Sequence, residues 1–170
     1  MRPSSRAALV VFLLVLMGLG FLTQSRARVW HDDLSLWTDA VQRAPRKPRP
    51  WINLGLALER AGDVTSGMQA HQAALALSFQ PRLSQYQQVF SRVASETNIA
   101  RVLAQSGEEE AAERILNDII ARHPNFAHAR YNRGILYART GRCEQGLTDF
   151  VLAAQLDAGF TVPECPSPAP

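Results

Sequence analysis

Three asparagines, Asn53, Asn98 and Asn132, stand at one phase of a recurring helical pattern, each two residues before a Gly or Ala (Gly55, Ala100, Gly134). A side-chain amide both donates and accepts, so amides repeated along one wall can pair with the backbone of an extended peptide whatever its side chains. On the same face, a helical turn to either side, lie Arg49, Arg60, Arg101, Gln105, Tyr131 and Arg139. Guanidinium groups pair with carboxylates through two parallel hydrogen bonds, which suits such a face to an acidic peptide or a C-terminus. The plainer alternatives are amides that merely belong to the repeat and arginines on a solvated helix face. The other polar clusters offer no chemistry. Asp32-Asp33 and Glu108-Glu109-Glu110 open helical stretches, where exposed N–H groups favour carboxylates. His31, His71, His123 and His128 are dispersed, and the sequence carries no phosphate loop, nucleophile elbow or metal-ligand spacing. The expectation is a binding protein with no catalytic residue, no metal and no cofactor.

The elements that would position these side chains are helices. Beyond residue 30 the apolar residues recur at helical spacing with no strand-like alternation. Three units superpose, opening at Trp51, Glu96 and Arg130, each with a turn glycine (Gly62, Gly107, Gly141) and a second small residue (Gly67, Ala112, Gly146). Paired small residues let two helices approach closely, and the turn glycine supplies the left-handed backbone that ends the first of them. Larger residues further on, His71, Leu116 and Phe150, would fill the space between hairpins. Gly107 and Gly141 stand 34 residues apart; Gly62 and Gly107 stand 45 apart, one period plus an insertion of eleven.

These units resemble tetratricopeptide repeats over about residues 47–159. The resemblance implies a short solenoid of three helical hairpins, so the expected fold is all-α: an N-terminal membrane helix, read from its own apolar run, followed by that solenoid and a half-repeat cap. One period upstream, Trp37, Ala40 and Pro45 fall where a second repeat helix would place its aromatic, small residue and proline, so Asp32 to Arg43 is expected to be the cap. The string from Arg28 through Gly55 also resembles the junction in bacterial relatives of transmembrane and tetratricopeptide-repeat O-mannosyltransferases, where a final membrane helix leads into exported repeats. The earlier membrane helices and acidic catalytic loop of that family are absent from this sequence. In the repeat arm of O-linked N-acetylglucosamine transferase a similar asparagine ladder holds polypeptide. The resemblances imply a scaffold that binds extended peptide or, alternatively, an accessory repeat arm presenting acceptor polypeptide to a membrane glycosyltransferase.

The insertion carries no Gly or Pro, and its stripe of Leu83, Tyr86 and Phe90 runs on into the second unit. One long helix from Pro81 to Gln105 is expected, with Pro81 in its first turn. Leu83, Tyr86 and Phe90 serve either as more core or as a dimer or partner contact. Cys143 and Cys165 are the only cysteines. In an exported domain they permit one disulfide, which would lay the proline-rich tail over the last helix as a cap; two unpaired thiols are the alternative.

Met1 to Arg6 carries two arginines, and Ala7 to Leu22 holds no charged or polar side chain. Those sixteen residues sit near the lower limit for spanning a bilayer and also fit a signal peptide. A retained single-pass anchor in a bacterial inner membrane, with periplasmic repeats, is expected; a cleaved signal and a secreted or periplasmic protein is the alternative. Net charge is only +3 despite a pI of 9.3, so nothing favours nucleic acid as partner. The basic run Arg43, Arg46, Lys47, Arg49 reads as a solubilising linker or a contact for anionic headgroups. The readings divide the chain into an anchor at 1–25, a cap and linker at 26–47, a repeat domain at 48–160 and a tail at 161–170. Within the domain the repeats fall at 48–81, 93–126 and 127–160, with 82–92 inserted as a helix extension.

Overall fold

The computed structural model describes residues 3–164, among which eight helices and no strand are found. In chain order they are α1 (Pro3–Val29), α2 (Asp33–Arg43), α3 (Pro48–Arg60), α4 (Val64–Ser78), α5 (Gln85–Gln105), α6 (Glu109–Arg122), α7 (Ala127–Arg139) and α8 (Cys143–Leu156). From α2 onward each helix packs on the next, and the first helices of successive hairpins, α3, α5 and α7, also touch one another. This is a three-hairpin solenoid with α2 as a half-repeat cap.

The turns follow from three glycines. Gly62, Gly107 and Gly141 have φ of 89°, 88° and 78°, a region that L side chains avoid. Just beyond each, the N–H of Asp63, Glu108 or Arg142 reaches the carbonyl five residues back, of Leu58, Leu103 or Tyr137, at 2.8–2.9 Å. That bond satisfies a carbonyl the helix end would leave bare.

The small residues meet as their spacing implies. A Cβ added to Gly146 would lie 2.8 Å from the Gly134 carbonyl oxygen, and one on Gly67 would lie 3.1 Å from that of Gly55. Ala100 and Ala112 make the corresponding contact zone in the middle hairpin and are both fully buried. His71, Leu116 and Phe150 are all buried, and Leu116 anchors a cluster with Val93, Ile119, Ala129 and Leu136 that spans the last two hairpins.

The long helix starts later than its stripe suggests. Pro81 to Ser84 form a turn and bend, and α5 begins at Gln85. The cause is a capping box: the Ser84 hydroxyl accepts from the Gln87 N–H at 3.3 Å, and the Gln87 amide oxygen accepts from the Ser84 N–H at 3.1 Å. Pro81 therefore sits in the connection and not in the first turn.

At the open end of the stack Phe160, 34 residues after Phe126, packs on Tyr131 and His128 with ring centroids 4.6 and 4.9 Å apart. Val151 and Leu156 stay exposed on the outer side of α8. At the other end α1 contains an 18-residue apolar stretch, Ala7–Gln24, that is long enough to cross a membrane or to act as a signal sequence. Its leucines, valines and phenylalanines have no cover among the described residues.

Candidate peptide-binding groove

Asn53, Asn98 and Asn132 come from the middle of α3, α5 and α7, and all three line one concave groove of about 1170 Å³. Their shared phase on three stacked first helices is what aligns them. Arg49 lines the same groove, one turn before Asn53. Its floor is apolar, supplied by Ile52, Leu56 and Ala94, with Phe126 at its far end.

The other expected contacts lie elsewhere. Arg60 is bound to Asp33 at the start of α2, on the cap side of α3. Tyr131 faces α8 and the tail, with its ring centroid 5.2 Å from that of Phe150 and 4.6 Å from that of Phe160. Gln105 and Arg139 are exposed last residues of α5 and α7, outside the groove. Arg101 donates to Glu59 from both arms of its fork, at 2.6 and 2.9 Å. Cys143 is the first residue of α8, and its expected partner Cys165 lies outside the described residues.

Glu59 is the centre of a polar cluster that periodicity alone does not disclose. His71 Nε2 lies 2.7 Å from Glu59 Oε1, so one carboxylate of α3 holds α4 and α5 at once. The position normally filled by an apolar side chain thus takes an imidazole, whose ring occupies the space that a side chain on Gly55 would need. Burial pushes the Glu59 carboxyl up, but hydrogen bonds from His71 and Arg101, with the Arg101 charge, bring it below its ordinary value. The last two hairpins repeat the device. Arg133 donates to both oxygens of buried Asp149 at 2.6 and 2.8 Å, and this bond holds its guanidinium pKa above the ordinary value. Arg142 pairs with Glu113 at 2.7 Å while lying over the Tyr137 ring, and its hydrogen bond holds the Glu113 carboxyl down. The signal that could have revealed the first cluster is the misfit itself, a histidine at a packing position with a glutamate on the preceding helix.

Two segments outside the asparagine-bearing phase also contribute to the groove. Arg46 and Lys47, from the presumed linker, line it beside Arg49. Leu83, Tyr86 and Phe90 of the insertion line it too. Among the described residues no cluster of three or more His, Cys, Asp or Glu side chains is suited to a metal ion.

Comparison with known proteins agrees with this architecture. Residues 97–159 match the tetratricopeptide repeat family. A solved structure of a MamA RS-1 ArsTM double mutant is similar at TM-score 0.50 and 22% identity, over 74% of this chain and 64% of that one. MamA 41-end from Desulfovibrio magneticus RS-1 gives TM-score 0.48 and 20% identity, covering 75% of this chain and 77% of that one. YrrB, described as a TPR protein with an unusual peptide-binding site, gives TM-score 0.37 and 13% identity, covering 86% and 84%. No curated protein sequence matches the chain. The fold is an all-α solenoid of tetratricopeptide type, and such a fold suits protein–protein interaction. The chain spans about 64% of the MamA variant's length. The family match begins downstream of the O-mannosyltransferase-like junction.

Proposed function

We propose that this chain is a non-catalytic, membrane-tethered scaffold that holds an extended segment of a protein partner in the groove between α3, α5 and α7. The observation that carries the reading is the convergence of Asn53, Asn98 and Asn132 on one groove. Three amides in register can pair with a peptide backbone, while the apolar floor accepts side chains. The partner is acidic, because the groove presents cations and no carboxylate. The α1 segment keeps the repeats at a bacterial inner membrane, on the periplasmic side, where a Cys143–Cys165 disulfide closes the tail over α8. Peptide mapping of exported protein without reductant should recover that crosslink; two free thiols would reject it.

The test is a pull-down from solubilised membranes with the full chain and with Asn53, Asn98 and Asn132 changed together to Ala. The expected result is loss of the partner from the triple variant at unchanged thermal stability. Retention of the same partners would remove the groove reading.

A further inference from the structure

We infer that the inserted segment from Arg82 to Phe90 builds the second wall of the groove, and that the two walls together select a bipartite peptide: carboxylates beside one bulky apolar side chain. The inference rests on the peptide-groove reading above.

Within the insertion Val89 packs against the repeat core, whereas Tyr86 and Phe90 stay largely outside it. Tyr86 is 77% exposed and Phe90 47% exposed, and the two rings are stacked 6.2 Å apart at 18°. Aromatic surface left exposed as a stacked pair beside an apolar groove is available to a partner. Leu83 and Phe90 line the same groove as Ile52 and Leu56, so the insertion adds apolar surface to that of α3. A side chain entered between those walls would lose most of its water contact, an environment that favours Leu, Phe or Met over small or polar residues.

Charge supplies the second half. Arg46, Lys47 and Arg49 stand on the α3 side and Arg82 on the insertion side, all exposed, and no Asp or Glu lines the groove. None of the four has an ion pair among the described residues. Elsewhere in the stack Arg43, Arg60, Arg101, Arg122, Arg130, Arg133 and Arg142 each close on a carboxylate, whereas Arg92, Arg114 and Arg139 make no ion pair among the described residues but lie outside this groove. Four unneutralised cations around one apolar cleft make its field positive, and that field draws in carboxylates.

The probes are fluorescein-labelled peptides with a central Phe flanked by Asp and Glu. One counterpart has every acid changed to its amide, and another has the Phe changed to Ser. Binding to the full chain in zwitterionic nanodiscs is read by anisotropy. The acidic Phe peptide should bind about tenfold or more tightly than either counterpart. Arg49→Glu with Arg82→Glu should abolish the advantage over the amide peptide, and Phe90→Ala the advantage over the Ser peptide. Equal binding of all three peptides that is still lost on changing the asparagines would overturn the bipartite motif and leave the groove reading standing. No binding of any peptide, with pull-down unaffected by the asparagine changes, would remove both. Two further results would also overturn the inference. One is capture of the repeats by phosphatidylglycerol vesicles, lost with Arg82→Glu, while the peptides show no preference. The other is a dimer in solution that Phe90→Ala dissociates, because a second copy would then occupy the wall.

Discussion

Arg101 on α5 grips Glu59 on α3 through two hydrogen bonds of 2.6 and 2.9 Å, joining the first helices of two successive hairpins. The same carboxylate takes His71 of α4, so its loss of a partner is felt in three helices. Removing one member of a buried ion pair costs about 3–5 kcal/mol because the other is left desolvated and unpaired. The Arg101 side chain is one-quarter exposed, which lets water reach the vacated site, so Arg101→Ala should cost about 2 kcal/mol. For a domain of this size that lowers Tm by about 6 °C in far-UV circular dichroism. Arg139→Ala, at the exposed end of α7, should shift it by little.

Acid should reach the same cluster. Burial favours the protonated Glu59, and the hydrogen bonds from His71 and Arg101 with the Arg101 charge outweigh it, leaving the folded pKa below the ordinary 4.5. The unfolded chain therefore binds this proton more tightly than the folded one. The stability contributed is complete above pH 4.5 and is lost as pH falls through the lowered folded value. Tm of the wild type should exceed that of Glu59→Gln by a constant margin above that pH, and the margin should shrink below it. A margin independent of pH would show that Glu59 acts by shape alone.

The helix-packing glycines divide by what a methyl group would meet. At Gly146 the obstacle is the Gly134 carbonyl oxygen, 2.8 Å from the added Cβ, which the α7 backbone holds in place. At Gly55 the obstacle is the His71 ring, 2.4 Å away, a side chain that can be truncated. Gly146→Ala should therefore cost about 2–3 kcal/mol with no single compensating change. Gly55→Ala should cost less in a His71→Ala background than alone, with a coupling of about 1 kcal/mol in denaturant unfolding.

These same residues show what was legible in the sequence. A glycine at a fixed turn phase or a small residue at a fixed helix phase answers to local geometry, and three repetitions made both plain. The asparagines were legible for the same reason: phase on a helix determines which face a side chain shares with its equivalents. Phase does not say what approaches that face from the next helix. Arg60, Arg101 and Tyr131 each found partners within the chain, Asp33, Glu59 and Phe160, that lie in other elements. The α5 start was obscured by a competing local signal, since Ser84 and Gln87 cap one another inside a stripe that looks continuous. The groove cations of the α2–α3 link were hidden because a proline-broken run looks like linker until the chain folds it against α3.

The α1 segment sets the last prediction. Its 18-residue apolar stretch rises about 27 Å, close to the roughly 30 Å hydrocarbon thickness of a bilayer. The Thr23 hydroxyl, near its end, donates to the Leu19 carbonyl at 2.8 Å and so is satisfied within the helix. A span this close to the limit should retain the chain in membranes but tolerate little further cost. Leu14→Arg places a charge at mid-span, at a penalty of about 3 kcal/mol. The wild-type chain should resist alkaline extraction from membranes, whereas Leu14→Arg should be released with its helical content intact. An N-terminal epitope tag decides between anchor and signal: loss of the tag from the mature chain would establish cleavage, and its retention in the membrane fraction establishes α1 as the tether that places the groove beside the bilayer.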